Sequence, residues 1–228
     1  MGELCYAKYS VHNDIHDERI EDDCRKDLWR WEMAKLLYQG HGSLRLTSDS
    51  GTVVYIDPYA GDGYDKPADL ILVTHQHHDH NKIDLPARAN DCEIIQNMDA
   101  LGDGEYRKFT VKDINIEATE AYNMNHPKRE CVGYLVSVDG LLIYFAGDTA
   151  KTEQMETLAD RQIDYALLPI DGIFTMNAKT AAECAKLIRA KHTVPIHMSP
   201  GKLFDLKKAE KFTAEGAMVV KPGEEIEL

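Results

Sequence analysis

The sequence predicts an α/β (α+β) protein of four layers, helix, sheet, sheet and helix, and three observations predict it. β-Prone pieces separated by turn-rich clusters fill the first half of the chain. Asp139-Gly140, set between the apolar runs 134–138 and 141–145, is the strongest short hairpin signal present. From Thr152 onward helical and strand patterns alternate. There the segment 179–190 carries Ala181, Cys184, Ala185 and Ile188 as a one-sided stripe suited to packing on a sheet. Two β-rich halves with helices outside give the sandwich.

In chain order, residues 1–34 read as an N-terminal extension. Ile20, Cys24, Leu28 and Trp31 recur there at helical spacing behind a candidate N-cap, Asp17, which predicts a docked helix. His12 and His16 are read as surface histidines. Residues 35–228 are read as one domain. It opens with a meander of strands at 36–39, 43–47 and 52–57, broken by Gly40-His41-Gly42 and by Ser48-Asp49-Ser50-Gly51. Leu70, Ile71, Leu72 and Val73 form a charge-free run, the pattern of a strand buried on both faces. A short helix is expected over 82–90, a strand over 93–96, a partial turn over 98–101, and strands over 105–109 and 111–120. After the hairpin come a helix at 152–158, a strand at 165–169, the helix at 179–190, a strand at 193–197, a weak helix at 206–212, and final strands near 218–220 and Ile226.

Composition narrows the class. The 43% hydrophobic content of 228 residues suffices for a full core. Asp and Glu number 39 against 26 Lys and Arg, a net charge of -13, which repels a phosphate backbone and disfavours nucleic acid as a partner. Five cysteines, an odd number without a C-x-x-C, indicate neither a disulfide framework nor a thiolate zinc site, and read as reduced thiols. No basic segment leading into an apolar stretch opens the chain, and no run approaches the ~20 apolar residues of a membrane helix. A cytoplasmic protein with a small-molecule partner is expected; the pattern specifies no oligomeric state.

The densest chemistry lies in 69–81, D-L-I-L-V-T-H-Q-H-H-D-H-N. A buried strand stops abruptly, and within six residues come His75, His77, Asp79 and His80, all able to ligate a divalent ion. His75 and His77, two apart, project the same way from an extended segment, whereas Asp79 and His80 follow where the chain turns. That spacing suits two adjacent ions. His78 sits in a spacer slot and is expected to be exposed.

T-H-Q-H-H-D-H (74–80) resembles the T-H-x-H-x-D-H signature of the metallo-beta-lactamase superfamily. G-H-G-S (40–43), I-D-P-Y (56–59), A-Y-N-M-N-H-P-K (121–128), F-A-G-D-T (145–149) and P-I-H-M (195–198) recur in the family's order. The pattern is most similar to the branch of metal-dependent hydrolases containing phosphorylated-ascorbate lactonase and N-acylphosphatidylethanolamine phospholipase D. The resemblance covers about 35–228 and implies the superfamily's four-layer fold.

It also implies further site residues. Asp148 follows an apolar strand and a glycine, so its carboxylate projects from a strand end and is placed to bridge two ions. His197 occupies the place of the family's last ligand. His41 and Asp57 border the metal pocket in supporting roles. The superfamily's remaining histidine is replaced at the strand end by Asn123, a weak neutral ligand. His126, three residues on, is the nearest imidazole, so His126, Asn123 or no protein group completes the first site. The expected function is hydrolysis of an ester, lactone, amide or phosphodiester by water activated on one or two ions, zinc foremost, with manganese or iron also accommodated. Asp79 is the candidate for proton handling. A nuclease and a non-catalytic sensor on the same fold are the rival readings.

Overall fold

The computed structural model describes residues 33–228; the expected helix up to Trp31, with His12 and His16, lies outside the described residues. Fourteen strands follow in order: β1 (Lys35–Gly40), β2 (Ser43–Thr47), β3 (Val53–Ile56), β4 (Ala68–Val73), β5 (Arg88–Gln96), β6 (Leu101–Gly102), β7 (Glu105–Tyr106), β8 (Lys108–Val111), β9 (Ile114–Glu120), β10 (Val132–Val138), β11 (Leu141–Phe145), β12 (Tyr165–Pro169), β13 (His192–Ile196) and β14 (Glu225–Glu227). The helices are short, α1 (Asn97–Ala100), α2 (Gln154–Thr157), α3 (Ala178–Ile188) and α4 (Leu206–Ala209), with a 3-10 turn at Leu158–Arg161.

Two six-stranded sheets face each other, ordered β14-β1-β2-β3-β4-β5 and β13-β12-β11-β10-β9-β8. β4 shows why its sequence tolerates no polar residue. Leu70 and Leu72 join the core between the sheets, with Val136, Phe145 and Leu167 opposite, while Ile71 and Val73 are covered on the outer face beside Tyr55 and Tyr64. On the far side α3 lays Ala181, Cys184, Ala185 and Ile188 against Tyr144, Ala166 and Leu168 of the second sheet. Its start is fixed by Asn177, whose side chain accepts from the Thr180 N–H. This is the metallo-beta-lactamase sandwich. Among the described residues, the loop residues Tyr64 and Ile83 cover the outer face of the first sheet.

Three local expectations change. No helix forms over 82–90; turns lead into β5 at Arg88, because Pro86 lacks an N–H and forces Leu85 away from helical dihedrals. The strand expected over 111–120 is a hairpin, since Lys112 takes a φ of 52° and turns the chain so that Val111 pairs with Ile114. Residues 218–220 form no strand; Met218 N–H donates to Thr193 O of the second sheet, and Val220 is buried in the core between the sheets.

β3, β4 and β5 are mutually parallel, as are β11, β12 and β13. Parallel neighbours deliver their C-terminal ends to one edge, where such sheets gather ligands. Leu72 anchors this edge from beneath and is wholly buried. Leu72→Ala should therefore cost about 2–5 kcal/mol in denaturant unfolding, and Leu85→Ala, at an exposed site, under about 0.5 kcal/mol. A similar cost for both would show that β4 does not carry the core.

Candidate metal centre

Five strand exits converge on this edge. Asp57 follows β3, the 74–80 segment follows β4, Asp148 follows β11, Asp171 follows β12 and His197 follows β13. His41, from the turn between β1 and β2, and His126, from the loop before β10, complete the group. The side chains form two clusters. In the first, His77 Nδ1 lies 3.1 Å from His75 Nε2 and 3.2 Å from His126 Nε2. Tetrahedral ligands about 2.0–2.1 Å from a zinc ion are about 3.3 Å apart, so this spacing fits one ion. The second cluster gathers His41, Asp79, His80 and His197 within 4.8 Å of one another. Asp148 lies between them, its Oδ2 3.4 Å from His126 Nε2, 3.2 Å from His197 Nε2 and 3.6 Å from His80 Nε2.

Each ring is turned by what its other nitrogen meets. His80 Nδ1 donates to Asp57 Oδ2 at 2.7 Å. His75 Nδ1 donates to Thr74 Oγ1 at 2.9 Å, and that hydroxyl donates on to Asp57 Oδ2 at 2.6 Å. His41 Nδ1 donates to Lys202 O at 3.1 Å. His197 Nδ1 faces Asp171 Oδ2 at 3.1 Å, an ion contact and not an aligned hydrogen bond. Four Nε2 atoms thereby turn inward, the second partner fixing the tautomer of a prospective ligand. His80 Nε2 is buried with no hydrogen-bond partner. A buried imidazole nitrogen beside other lone pairs fits a cation better than it fits packing.

The loop carrying His126 brings that ring, and not the Asn123 side chain, beside His77. Asn123 Oδ1 accepts from the N–H groups of Asn125 and His126 and from His126 Nδ1, at 2.8, 3.1 and 2.9 Å. Its amide donates to Phe174 O at 2.9 Å. Asn123 thus folds the loop back and aims His126 at the cluster, with its own oxygen turned away.

Burial sets the charge states. It drives the His75 imidazole well below its usual value, helped by the neighbouring His80, His126 and His77. Burial likewise takes His80 and His126 down to about 4. These three rings are neutral at pH 7. His197 is the reverse: burial opposes its charge, but the Asp148, Asp171 and Asp79 carboxylates outweigh burial and raise it to about 9. Burial pushes Asp57 up to about 8 against the two hydrogen bonds from Thr74. Asp79 is held below the carboxylate range, because His41 and His80 outweigh its partial burial.

Each candidate ligand and supporting residue named from the sequence lies at this edge. His75, His77, Asp79, His80, His126, Asp148 and His197 are brought together, with Asp57 and Asn123 behind them, and His78 is exposed as expected. His41 goes further than a bordering role, since its Nε2 is 3.1 Å from Asp79 Oδ2 and within ligand reach. Asp171 escaped the sequence reading, although P-I-D-G after the apolar run 165–169 repeats the strand-then-carboxylate pattern of Asp148. Two glycines permit the crowding. A Cβ on Gly42 would sit 2.9 Å from His80 Cε1, and one on Gly147, at φ 64°, 2.7 Å from Val132 O. Lys128, Arg129 and Lys151, cations on the neighbouring loops, pair with Glu120, Glu130 and Glu156.

Comparisons with known proteins bear on the family and the fold. Residues 35–197 match the beta-lactamase superfamily domain. The metal-dependent hydrolase of Pyrococcus furiosus in the UPF0173 family is 30% identical over 86% of this chain and its own full length. That of Thermococcus kodakarensis is 32% identical with the same coverage. A crystal structure of a metal-dependent hydrolase from Parabacteroides distasonis is 32% identical, covers 83% of this chain and 93% of its own, and superposes with a TM-score of 0.68. The fold of Igni18, a metallo hydrolase of Ignicoccus hospitalis, is also similar, with a TM-score of 0.62 at 24% identity, over 85% of this chain and 97% of its own. The fold and its relatives define a metal-dependent hydrolase of the metallo-beta-lactamase superfamily. Within it, the chain belongs to the UPF0173 metal-dependent hydrolases.

Asp57→Asn removes the acceptor that orients His80 directly and His75 through Thr74. Metal affinity, measured by competition with a chelating dye, should fall about 10–100-fold; wild-type affinity would show that these rings are positioned by packing alone.

His197, raised to about 9, must lose a proton before its nitrogen can bind an ion, and Asp57, raised to about 8, adds a second linked proton. Affinity should accordingly rise at least tenfold from pH 7 to 8. Calorimetry in buffers of different ionisation enthalpy should register at least one proton released at pH 7, and a pH-independent affinity would exclude His197 as a ligand.

Proposed function

We propose that residues 35–228 form a single hydrolase domain, with 1–34 as its extension. His75, His77 and His126 would hold one divalent ion and Asp79, His80 and His197 a second, with the Asp148 carboxylate placed between the two groups. The observation that supports this most directly is Asp148 Oδ2, which lies within 3.6 Å of one imidazole of the first cluster and two of the second. An imidazole-rich set suits zinc, and its carboxylates accommodate manganese or iron. When bound, such ions lower the pKa of coordinated water toward neutrality and polarise the accepting oxygen. Asp79, ionised and partly open to the pocket, takes the proton of the attacking water and returns it to the leaving group. His41 keeps that carboxylate in place. Asn123 and Asp57 hold His126 and His80 to the same geometry.

The substrate is a small molecule bearing an ester, lactone, amide or phosphodiester centre. The finer likeness to phosphorylated-ascorbate lactonase and N-acylphosphatidylethanolamine phospholipase D is supported by the order of the sequence blocks around the ligands. A cytoplasmic location is supported by the odd number and scattered spacing of the cysteines in the sequence; no helix among the described residues is long and apolar enough to cross a membrane.

Elemental analysis of protein purified without chelator, joined to an ester, lactone and phosphodiester panel, tests this reading. Asp148→Asn should reduce the content of both ions, His126→Ala mainly that of one, and Asp79→Ala should abolish turnover. Stoichiometric metal with no hydrolysis of any panel member would favour a sensor. Loss of metal in His126→Ala but not in Asp148→Asn would overturn the bridging role.

A further inference from the structure

The two clusters form the floor of a pocket of about 460 Å³ whose walls include Phe174, Pro200 and Gly201. This size falls in the range of small-ligand sites. Among the described residues, no lysine or arginine lines it. The nearby cations are engaged elsewhere: Lys202, next to Gly201, pairs with Asp205, and Lys128 with Glu120. Large apolar side chains are instead exposed on one lining residue and on two residues next in sequence to the lining. Phe174 lines the pocket, Ile173 precedes it, and Met124 adjoins the lining residue Asn125. These are three of the eight exposed large hydrophobic side chains among the described residues. Scattered exposed apolar residues need no explanation, but a concentration around a concave site does.

This apolar wall is built. Asp171 Oδ1 accepts from the N–H groups of Ile173, Phe174 and Thr175, at 2.5, 2.8 and 3.1 Å, and Asn123 holds the Phe174 carbonyl. Two residues that orient His197 and His126 therefore also fix the apolar side chain beside them. A phosphate group entering here meets no lysine or arginine among the described lining residues, whereas a neutral carbonyl gains only one charge as water adds to it.

We propose that this pocket takes uncharged acyl compounds, esters, lactones or amides carrying an aliphatic or aromatic acyl group that lies against Phe174, in preference to phosphorylated substrates. The inference rests on the metal-hydrolase reading above. In the reaction, water oxygen bonds to the acyl carbon and the acyl–oxygen or acyl–nitrogen bond breaks. The leaving group takes a proton from the water, yielding an acid and an alcohol or amine.

The test is calorimetric binding of n-alkyl hydroxamates of two to eight carbons to the zinc-loaded full chain, alongside n-alkyl phosphonates of equal length. Hydroxamate affinity should grow about two- to fourfold per added methylene and exceed that of the matching phosphonate. Phe174→Ala should flatten the gain, and Phe174→Leu should restore part of it. Failure of acetohydroxamate itself to bind would overturn the metal-centre reading and this proposal with it. Binding of acetohydroxamate with no chain-length gain, or tighter binding of the phosphonates, would overturn this proposal alone.

Discussion

A single buried carboxylate, Asp57, ties the site to the fold. It is fully buried at the exit of β3 and accepts from Thr74 N–H and Oγ1 and from His80 Nδ1, all within 2.7 Å. An isolated carboxylate in such a place would cost several kcal/mol, so its donors are obligatory. Two of them come from the residue that follows β4, and the third belongs to a ring of the second cluster. Through Thr74 the same oxygen reaches His75 of the first. Spacing between the clusters is consequently set by the parallel pairing of β3 with β4, and does not depend on loop flexibility.

The backbone is strained where function concentrates. His41, Asp57 and His197 adopt φ of 55°, 46° and 45°, in the left-handed region that side chains with a Cβ rarely occupy. Each such residue costs on the order of 1–3 kcal/mol and persists only where its surroundings hold it. Here the holding groups are visible. The Tyr38 hydroxyl and the His197 N–H both donate to His41 O at 2.8 Å, and Asp57 N–H donates to Leu72 O at 2.9 Å. The His197 bond joins the second sheet to the first, so strain at two ligand-bearing turns is borne by the packing of the sheets.

Much of this was legible in the sequence because buried parallel strands and convergent ligands leave strong local marks. Leu70 to Val73 needs apolar side chains on both faces, and the change to T-H-Q-H-H-D-H has no counterpart in ordinary loops. His126 was harder, since its approach depends on Asn123 folding a loop whose spacing shows no periodicity. Asp171 was missed because one carboxylate after a strand is a weak signal until His197 is seen beside it. The expected helix over 82–90 failed for a local reason, Pro86, and the split at Lys112 because a two-residue turn without glycine looks like continuous strand. What sequence reading lacks in each case is the partner brought from another strand.

The inward-facing nitrogens have a thermodynamic consequence. His41, Asp79, His80 and His197 cannot all be satisfied by protons, because three of the rings already direct Nδ1 outward to Lys202, Asp57 and Asp171. His80 Nε2 is left without any partner. The energy to hold these lone pairs together is supplied by the two-sheet core, whose wholly buried Leu70, Leu72 and Phe145 gain nothing from an ion. A bound ion relieves that opposition in the folded state alone, so its affinity adds to stability by mass action. Core and centre are therefore coupled: the ion-binding geometry exists only in the folded sandwich, and an ion bound there in turn stabilises the sandwich.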